Sequence, residues 1–144
     1  MSRYFVDAEF NSFGGELISI ALVRQDGKSI SLVLGCDDPH PWVAENVMPV
    51  LFSDPASRKI ARADLANELF AFLRADLQIE FVCDWPDDIK YLCESLMTAP
   101  GEMVALPRAT FQLVRCNAYP TTVQGAIQHN CYWDAMALRD LFTK

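Results

Sequence analysis

The chain has 144 residues, 51% of them apolar, and a formal net charge of −7 at neutral pH. This length and composition predict one domain over residues 1–144 with a substantial core, and they exclude a disordered or fibrous chain. The acidic balance argues against a protein that coats nucleic acid by bulk electrostatic attraction.

The apolar runs and the cysteines bear on cellular location. No apolar run is long enough to cross a bilayer, and the first residues lack the pattern of a signal peptide. The five cysteines include no C-x-x-C pair, which indicates free thiols rather than a disulfide framework or a zinc site. We therefore expect a cytoplasmic protein with no membrane partner.

The predicted elements begin with three strands. Residues 3–10, 17–23 and 29–34 are rich in apolar and β-branched side chains. Gly14 and Gly15 provide the first turn, and Asp26-Gly27 is a hairpin signal between the second and third strands. The start of the chain therefore predicts a three-stranded antiparallel meander.

Helices and further strands follow the meander. Helices are predicted over residues 42–51, over a segment from Ser57 or Arg62 to about residue 74, over 87–97 and over 130–142. Strands are predicted over residues 79–83 and 110–114, and loops over 37–41, 100–107 and 117–125. This order is typical of an α/β or α+β chain with a mixed sheet.

Asp7 and Glu9 are the first candidate functional residues. They lie two apart on a predicted strand, so both side chains point to the same face. Two such carboxylates can bind one hard cation and bridge to a second, although a solvated strand edge would also contain them. The apolar residues around them indicate a buried strand. Two carboxylates are costly to bury on such a strand, which favours a functional role for them.

Three acids, Asp84, Asp87 and Asp88, follow the predicted strand at 79–83. Acids in the first turn of a helix are favoured by the helix dipole, and Pro86 suits the same turn. Three acids within five residues exceed what a cap needs, so at least one is a candidate metal ligand. The sequence leaves the choice between Asp88 and Asp84 open.

His129 and Asp134 form the last candidate pair. Five residues on a helix correspond to roughly 140° of rotation, so the two cannot share a helix face. Both reach one site if His129 lies in the loop before the helix and Asp134 lies one turn inside it. An imidazole there can accept a proton from water, because its pKa lies near neutrality. His40, between two prolines in a predicted surface loop, is assigned no role.

Together, these motifs resemble a known superfamily. A D-x-E strand, an Asp after a central strand and a late H-x4-D are similar to the DEDD 3′→5′ exonucleases, which have a ribonuclease H-like fold. The H-x4-D spacing resembles the DEDDh branch, because Asn130 occupies the position where the DEDDy branch has Tyr. Residues 4–10, 16–20, 42–49, 88–93 and 129–135 also resemble the compact mycobacterial-type exoribonucleases, so that the resemblance covers residues 3–142.

The resemblance implies a fold and a catalytic set. The fold would be α/β and ribonuclease H-like, with a mixed sheet of the N-terminal meander plus parallel strands, flanked by helices. Asp7, Glu9, Asp88 and Asp134 would hold two divalent cations, Mg²⁺ or Mn²⁺, and His129 would be the general base. The reaction would be hydrolysis of single-stranded RNA or 3′ overhangs from the 3′ end to nucleoside 5′-monophosphates.

The sequence also suggests candidate substrate contacts and partners. Phe10 and Phe13 could stack on the terminal base or pack in the core, and Asn11 and Ser12 could hold its 3′ hydroxyl or phosphate. Asp84 could contact the substrate, or a metal through water. Single-stranded DNA is the alternative substrate, because no residue identifies a reader of the 2′-OH. A non-catalytic binding module and an acidic nucleic-acid mimic are alternative functions, and similar compact exonucleases often form homodimers.

Overall fold

The computed structural model describes residues 1–118 and 123–143. Its strands are β1 (Ser2–Phe10), β2 (Leu17–Arg24), β3 (Ser29–Val33), β4 (Ser57–Lys59), β5 (Gln78–Cys83), β6 (Met97–Ala99), β7 (Glu102–Met103) and β8 (Arg108–Leu113). Its α-helices are α1 (Pro41–Asn46), α2 (Leu65–Leu73), α3 (Pro86–Ser95) and α4 (Cys131–Thr143), with 3₁₀ turns at Met48–Val50 and Arg62–Asp64.

Six of the strands form one mixed sheet, in the order β4-β3-β2-β1-β5-β8. The pairs β1–β2 and β2–β3 are antiparallel, which confirms the predicted meander. The pairs β1–β5, β5–β8 and β3–β4 are parallel. The chain is therefore α/β with a mixed sheet, while β6 and β7 form a separate hairpin.

Helices cover both faces of the sheet. Alternate residues of β1, Tyr4, Val6 and Ala8, pack in one core with the buried side chains of α2 and α3. The opposite alternation places Phe5 against Leu138 of α4. Small residues on β2 and α4 at this second face let the helix approach the sheet closely. Every residue from Leu17 to Val23 is buried, as expected for a strand covered on both sides.

The first two predicted helices differ from the observed elements. The helix expected over residues 42–51 is α1 followed by a separate 3₁₀ turn, because Pro49 has no N–H to donate and disfavours helical geometry at the residue before it. No helix starts at Ser57, where β4 instead pairs with β3. The alternative start at Arg62 is closer, since a 3₁₀ turn there leads into α2.

The predicted loop over residues 100–107 was wrong in part. It contains β7, which pairs with β6 around Gly101, whose φ is +75°. The helix expected to reach Met97 therefore ends at Ser95. Part of the predicted loop over 117–125 falls on residues 119–122, outside the described residues. Among the residues that are described, no helix has both the length and the apolarity needed to cross a membrane.

Candidate metal centre

The carboxyl ends of two neighbouring parallel strands position the candidate site. Asp7 and Glu9 lie near the end of β1, on the face that also carries Phe5 and is covered by α4. Asp84 directly follows β5, the parallel neighbour of β1. Ligand sites in α/β sheets typically form at this edge, because the ends of parallel strands and the helices that follow them meet there.

Five acids assemble into two overlapping groups. Carboxylate oxygens of Asp7, Glu9 and Asp134 lie within 4.8 Å of one another, and so do those of Asp7, Asp84 and Asp88. Asp7 belongs to both groups. Carboxylate oxygens are the ligands that Mg²⁺ and similar hard cations prefer. The arrangement could therefore hold two neighbouring cations that share one ligand.

The sequence leaves the choice between Asp84 and Asp88 open, and in the structure both side chains face Asp7. Asp88 is 2% exposed, and its Oδ1 accepts a hydrogen bond from the backbone N–H of Ala8 at 3.0 Å. Asp87 points elsewhere and accepts the indole N–H of Trp85 at 3.0 Å, on the exposed side of α3. Which acid binds a metal stays a prediction.

Three carboxylate oxygens at the site lack a hydrogen-bond partner within the described part of the chain. Asp7 Oδ2, Asp88 Oδ2 and Asp134 Oδ1 are buried without a hydrogen bond to any of the residues that the structure describes. A buried polar atom left unpaired is costly, and a buried carboxylate more so. The donor set therefore fits divalent cations, which would satisfy all three oxygens at once.

Burial and mutual repulsion raise the pKa values of these acids. Burial and then the charge of Asp88 raise the pKa of Asp7, while burial and then Asp134 raise that of Glu9. Burial, the largest cause in each case, raises the pKa of Asp88 to about 8 and that of Asp134 to about 7. The cluster therefore resists full ionisation unless positive charge compensates it.

His129 lies in the loop that enters α4, and Asp134 lies in the first turn of that helix. This is the arrangement that their spacing required. The backbone N–H of His129 faces the Asp134 carboxylate and favours its ionised form. The His129 ring contacts Trp42 edge to face, with 5.0 Å between ring centroids. Burial lowers the pKa of His129, so the ring is neutral at pH 7 and can accept a proton.

A cleft of about 440 Å³ lies beside Glu9, and Phe10, Ser12, His40 and Trp42 line it. His40, to which the sequence assigns no role, lies at this cleft because the loop before α1 folds back against the end of β1. Asn11 holds this loop in place. Its side chain accepts the backbone N–H of His40 at 2.8 Å and donates to the Asp38 carbonyl at 3.0 Å.

The two candidate stacking phenylalanines differ. Phe10 stacks on Tyr91 at 4.8 Å between centroids and is half-buried, which is the core-packing alternative. Phe13 is 93% exposed, so its ring is available to a ligand. Ser12 adopts a left-handed φ of +63° in the turn between them.

The sequence did not mark three residues that the structure places at the site: Trp42, Trp85 and Arg115. Trp42 is 56% exposed and forms the cleft wall next to His129. Arg115 lies over the exposed ring of Trp85, 4.9 Å from its centroid, and donates to the backbone carbonyl of Asp84. No local pattern marks Arg115, because its relation to Asp84 depends on β8 lying next to β5.

The homodimer suggested by the resemblance stays a prediction, because the structure describes one chain. Comparison of the sequence with models of protein families and with curated proteins finds no match. The function is therefore inferred from the geometry of the acidic groups and His129.

Proposed function

We propose that the chain is a metal-dependent 3′→5′ exonuclease that shortens single-stranded RNA, or 3′ overhangs, to nucleoside 5′-monophosphates. One observation carries the proposal: Asp7 joins Glu9 and Asp134 in one carboxylate group and Asp84 and Asp88 in another. Two neighbouring cation sites with a common ligand suit the cleavage of a phosphodiester bond, which needs charge compensation on both sides of phosphorus.

The proposed family is the DEDDh branch of the ribonuclease H-like exonucleases. In its support, the D-x-E pair lies on the first strand of an antiparallel meander and the next acids follow a parallel neighbour of that strand. The H-x4-D pair at the start of α4 completes the order. Each motif is loose alone, and their convergence on one sheet edge supports the assignment.

Mg²⁺ or Mn²⁺ would be held by Asp7, Glu9 and Asp134 in the first group, and by Asp7, Asp84 and Asp88 in the second. Bound there, divalent cations supply positive charge to the phosphate oxygens and lower the pKa of the attacking water. Buried oxygens of Asp7, Asp88 and Asp134 have no hydrogen-bond partner among the residues that the structure describes, which supports this role.

His129 acts as the general base. Its imidazole is neutral at pH 7, since burial lowers its pKa, and it takes the proton of the water that attacks phosphorus. The P–O3′ bond breaks, the departing 3′ oxygen takes a proton from solvent, and the terminal nucleotide leaves with its 5′ phosphate. Trp42, which lines the cleft, contacts the ring of His129 edge to face.

The exposed aromatic rings of Phe13 and Trp42 favour a single-stranded substrate, because unpaired bases can stack on them. Such stacking is worth ~1–3 kcal/mol per base and depends little on sequence. The acidic surface of the chain fits an enzyme that holds one strand end rather than the length of a duplex.

The test is digestion of a 5′-labelled single-stranded RNA with the purified chain. We expect a ladder that shortens from the 3′ end with Mn²⁺ or Mg²⁺ and stops with a chelator. Asp7→Asn should abolish cleavage, whereas Asp64→Asn, an exposed acid in the turn before α2, should not. A matched DNA oligomer that is cut faster would replace RNA by DNA in the proposal. Metal binding without any cleavage would favour a non-catalytic module.

A further inference from the structure

We propose that Asn130 and Asp54 form a positioning pair that holds His129 in its working orientation. The inference rests on the proposed function, in which His129 is the general base. Neither residue belongs to the acidic groups or lines the cleft. They act through the loop that precedes α4.

The Asn130 side chain is 1% exposed and fully engaged. Its Nδ2 donates to Asp54 Oδ1 at 2.8 Å and to the Val50 carbonyl at 2.9 Å. Its Oδ1 accepts the backbone N–H of Trp133 at 3.0 Å, as a helix cap does. The Asn130 amide therefore caps α4 and also links the start of that helix to the 3₁₀ turn at Met48–Val50 and to Asp54, which follows the turn.

Asp54 is itself anchored to the sheet edge. Its Oδ2 accepts the backbone N–H groups of Ala56 at 2.8 Å and Ser57 at 2.7 Å, and its Oδ1 accepts the Ser57 hydroxyl at 2.6 Å. Ser57 begins β4, which pairs with β3. Hydrogen bonds that do not involve Asn130 therefore hold the Asp54 carboxylate in place, so it can fix the position of the loop that contains Asn130.

His129 needs such support because its φ is +68°. A non-glycine residue in the left-handed region costs ~1–2 kcal/mol, and it persists only where its surroundings determine it. Asn130 fixes the chain on one side of His129, while Trp42 contacts the ring itself. Trp42 and Val50 lie on the same stretch of chain, α1 and the 3₁₀ turn after it, which therefore clamps His129 and Asn130 together.

The decisive variant is Asn130→Ser. Serine caps helices about as well as asparagine but is too short to reach Asp54, so the fold should persist while the link is lost. We expect kcat to fall about 10- to 100-fold, as for a misplaced catalytic group, with KM and metal affinity unchanged. Asn130→Ala also loses the cap, and its kcat should fall by the same factor. If Asn130→Ser keeps full activity, the residue is only a cap and the proposal is overturned.

Two further measurements separate positioning from general structural damage. In a His129→Ala background, Asn130→Ser should cause no further loss of kcat, whereas structural damage would lower it again. Asp54→Ala should reproduce the Asn130→Ser defect, and the two should not add. Asn67→Ala, an exposed asparagine on α2, is the matched control and should leave kcat unchanged.

A readout without catalysis keeps this inference distinct from the proposed function. The chain has two histidines, so the His129 ring protons can be assigned by comparison with His129→Ala. We expect a nuclear Overhauser effect between the His129 and Trp42 rings in the wild type and its loss in Asn130→Ser. Persistence of that contact in the variant overturns the positioning role, even if the wild type proves to have no nuclease activity.

Discussion

The Asp88 carboxylate accepts a hydrogen bond from the backbone N–H of Ala8, 80 positions earlier in the chain, at 3.0 Å. Ala8 lies between Asp7 and Glu9, and its N–H therefore ties the first turn of α3 to the strand that carries both acids. One oxygen of Asp88 is fixed by this bond. The other is buried without a partner among the described residues, next to Asp7.

Divalent cations should stabilise the fold. A ligand that binds the native state at about 100 times its dissociation constant adds ~2.7 kcal/mol, or roughly 5–10 °C in Tm for a chain of this size. We expect Mn²⁺ to raise Tm by this order relative to chelator, measured by differential scanning fluorimetry. Asp7→Asn should remove most of the shift, because Asp7 belongs to both groups. An undiminished shift in the variant would place the metal elsewhere.

Asp7→Asn should also stabilise the metal-free protein. Asp7 is buried among carboxylates, and its pKa is raised by burial and by Asp88 and Asp134, so its charge opposes folding at neutral pH. Removing that charge should raise Tm in chelator by a few degrees, about 1–2 kcal/mol. The same substitution thus has opposite effects with and without Mn²⁺. A lower Tm in chelator would contradict the repulsion.

The stability of the metal-free protein should fall as pH rises. The folded-state pKa of Asp88 is about 8 and that of Asp134 about 7, against an ordinary value of 3.8. Because both are raised, the folded state keeps protons that the unfolded state releases, and stability is lost between about pH 4 and pH 8. The pKa of His129 is lowered, so this one group changes stability with pH in the opposite direction. Denaturant midpoints at pH 5.5 and pH 8 in chelator would check the direction of this change. Mg²⁺ should make the stability depend less on pH.

His129→Ala should lower kcat without weakening metal binding. Loss of a general base typically costs 10²- to 10⁴-fold, and His129 is outside both acidic groups. In the wild type, kcat should decline on the acid side at a pH below 6.5, because burial lowers the pKa of His129. The variant should lose that decline. A pH–rate profile with an unchanged acid limb in His129→Ala would assign the base to another group.

Phe13→Ala should weaken substrate binding at no cost in stability. Its ring is 93% exposed, so truncation removes little packing, while a lost stack of ~1–3 kcal/mol should raise KM about 5- to 150-fold. Leu77→Ala is the control, since Leu77 is 90% exposed at the opposite end of β5 from Asp84. Equal KM values for Phe13→Ala and the wild type would exclude the ring from the substrate path.

Local pattern accounts for much of the fold. The meander follows from apolar runs and turn residues, and the shared face of Asp7 and Glu9 follows from strand periodicity. The short strands were missed for a physical reason. β4 has three residues, two of them charged, and becomes a strand only because β3 offers a parallel neighbour.

The sequence by itself determined which residues carry charge and which of them share a strand or helix. The tertiary structure decided which of them meet. Asp84 and Asp88 both face Asp7 because β5 lies parallel to β1, and no local pattern encodes strand order. Likewise, Asn130 bonds to Asp54 across 76 positions of the chain, and the packing of α4 against the sheet creates that contact. Periodicity acts between neighbours in sequence, whereas a site built from distant segments depends on how those segments pack.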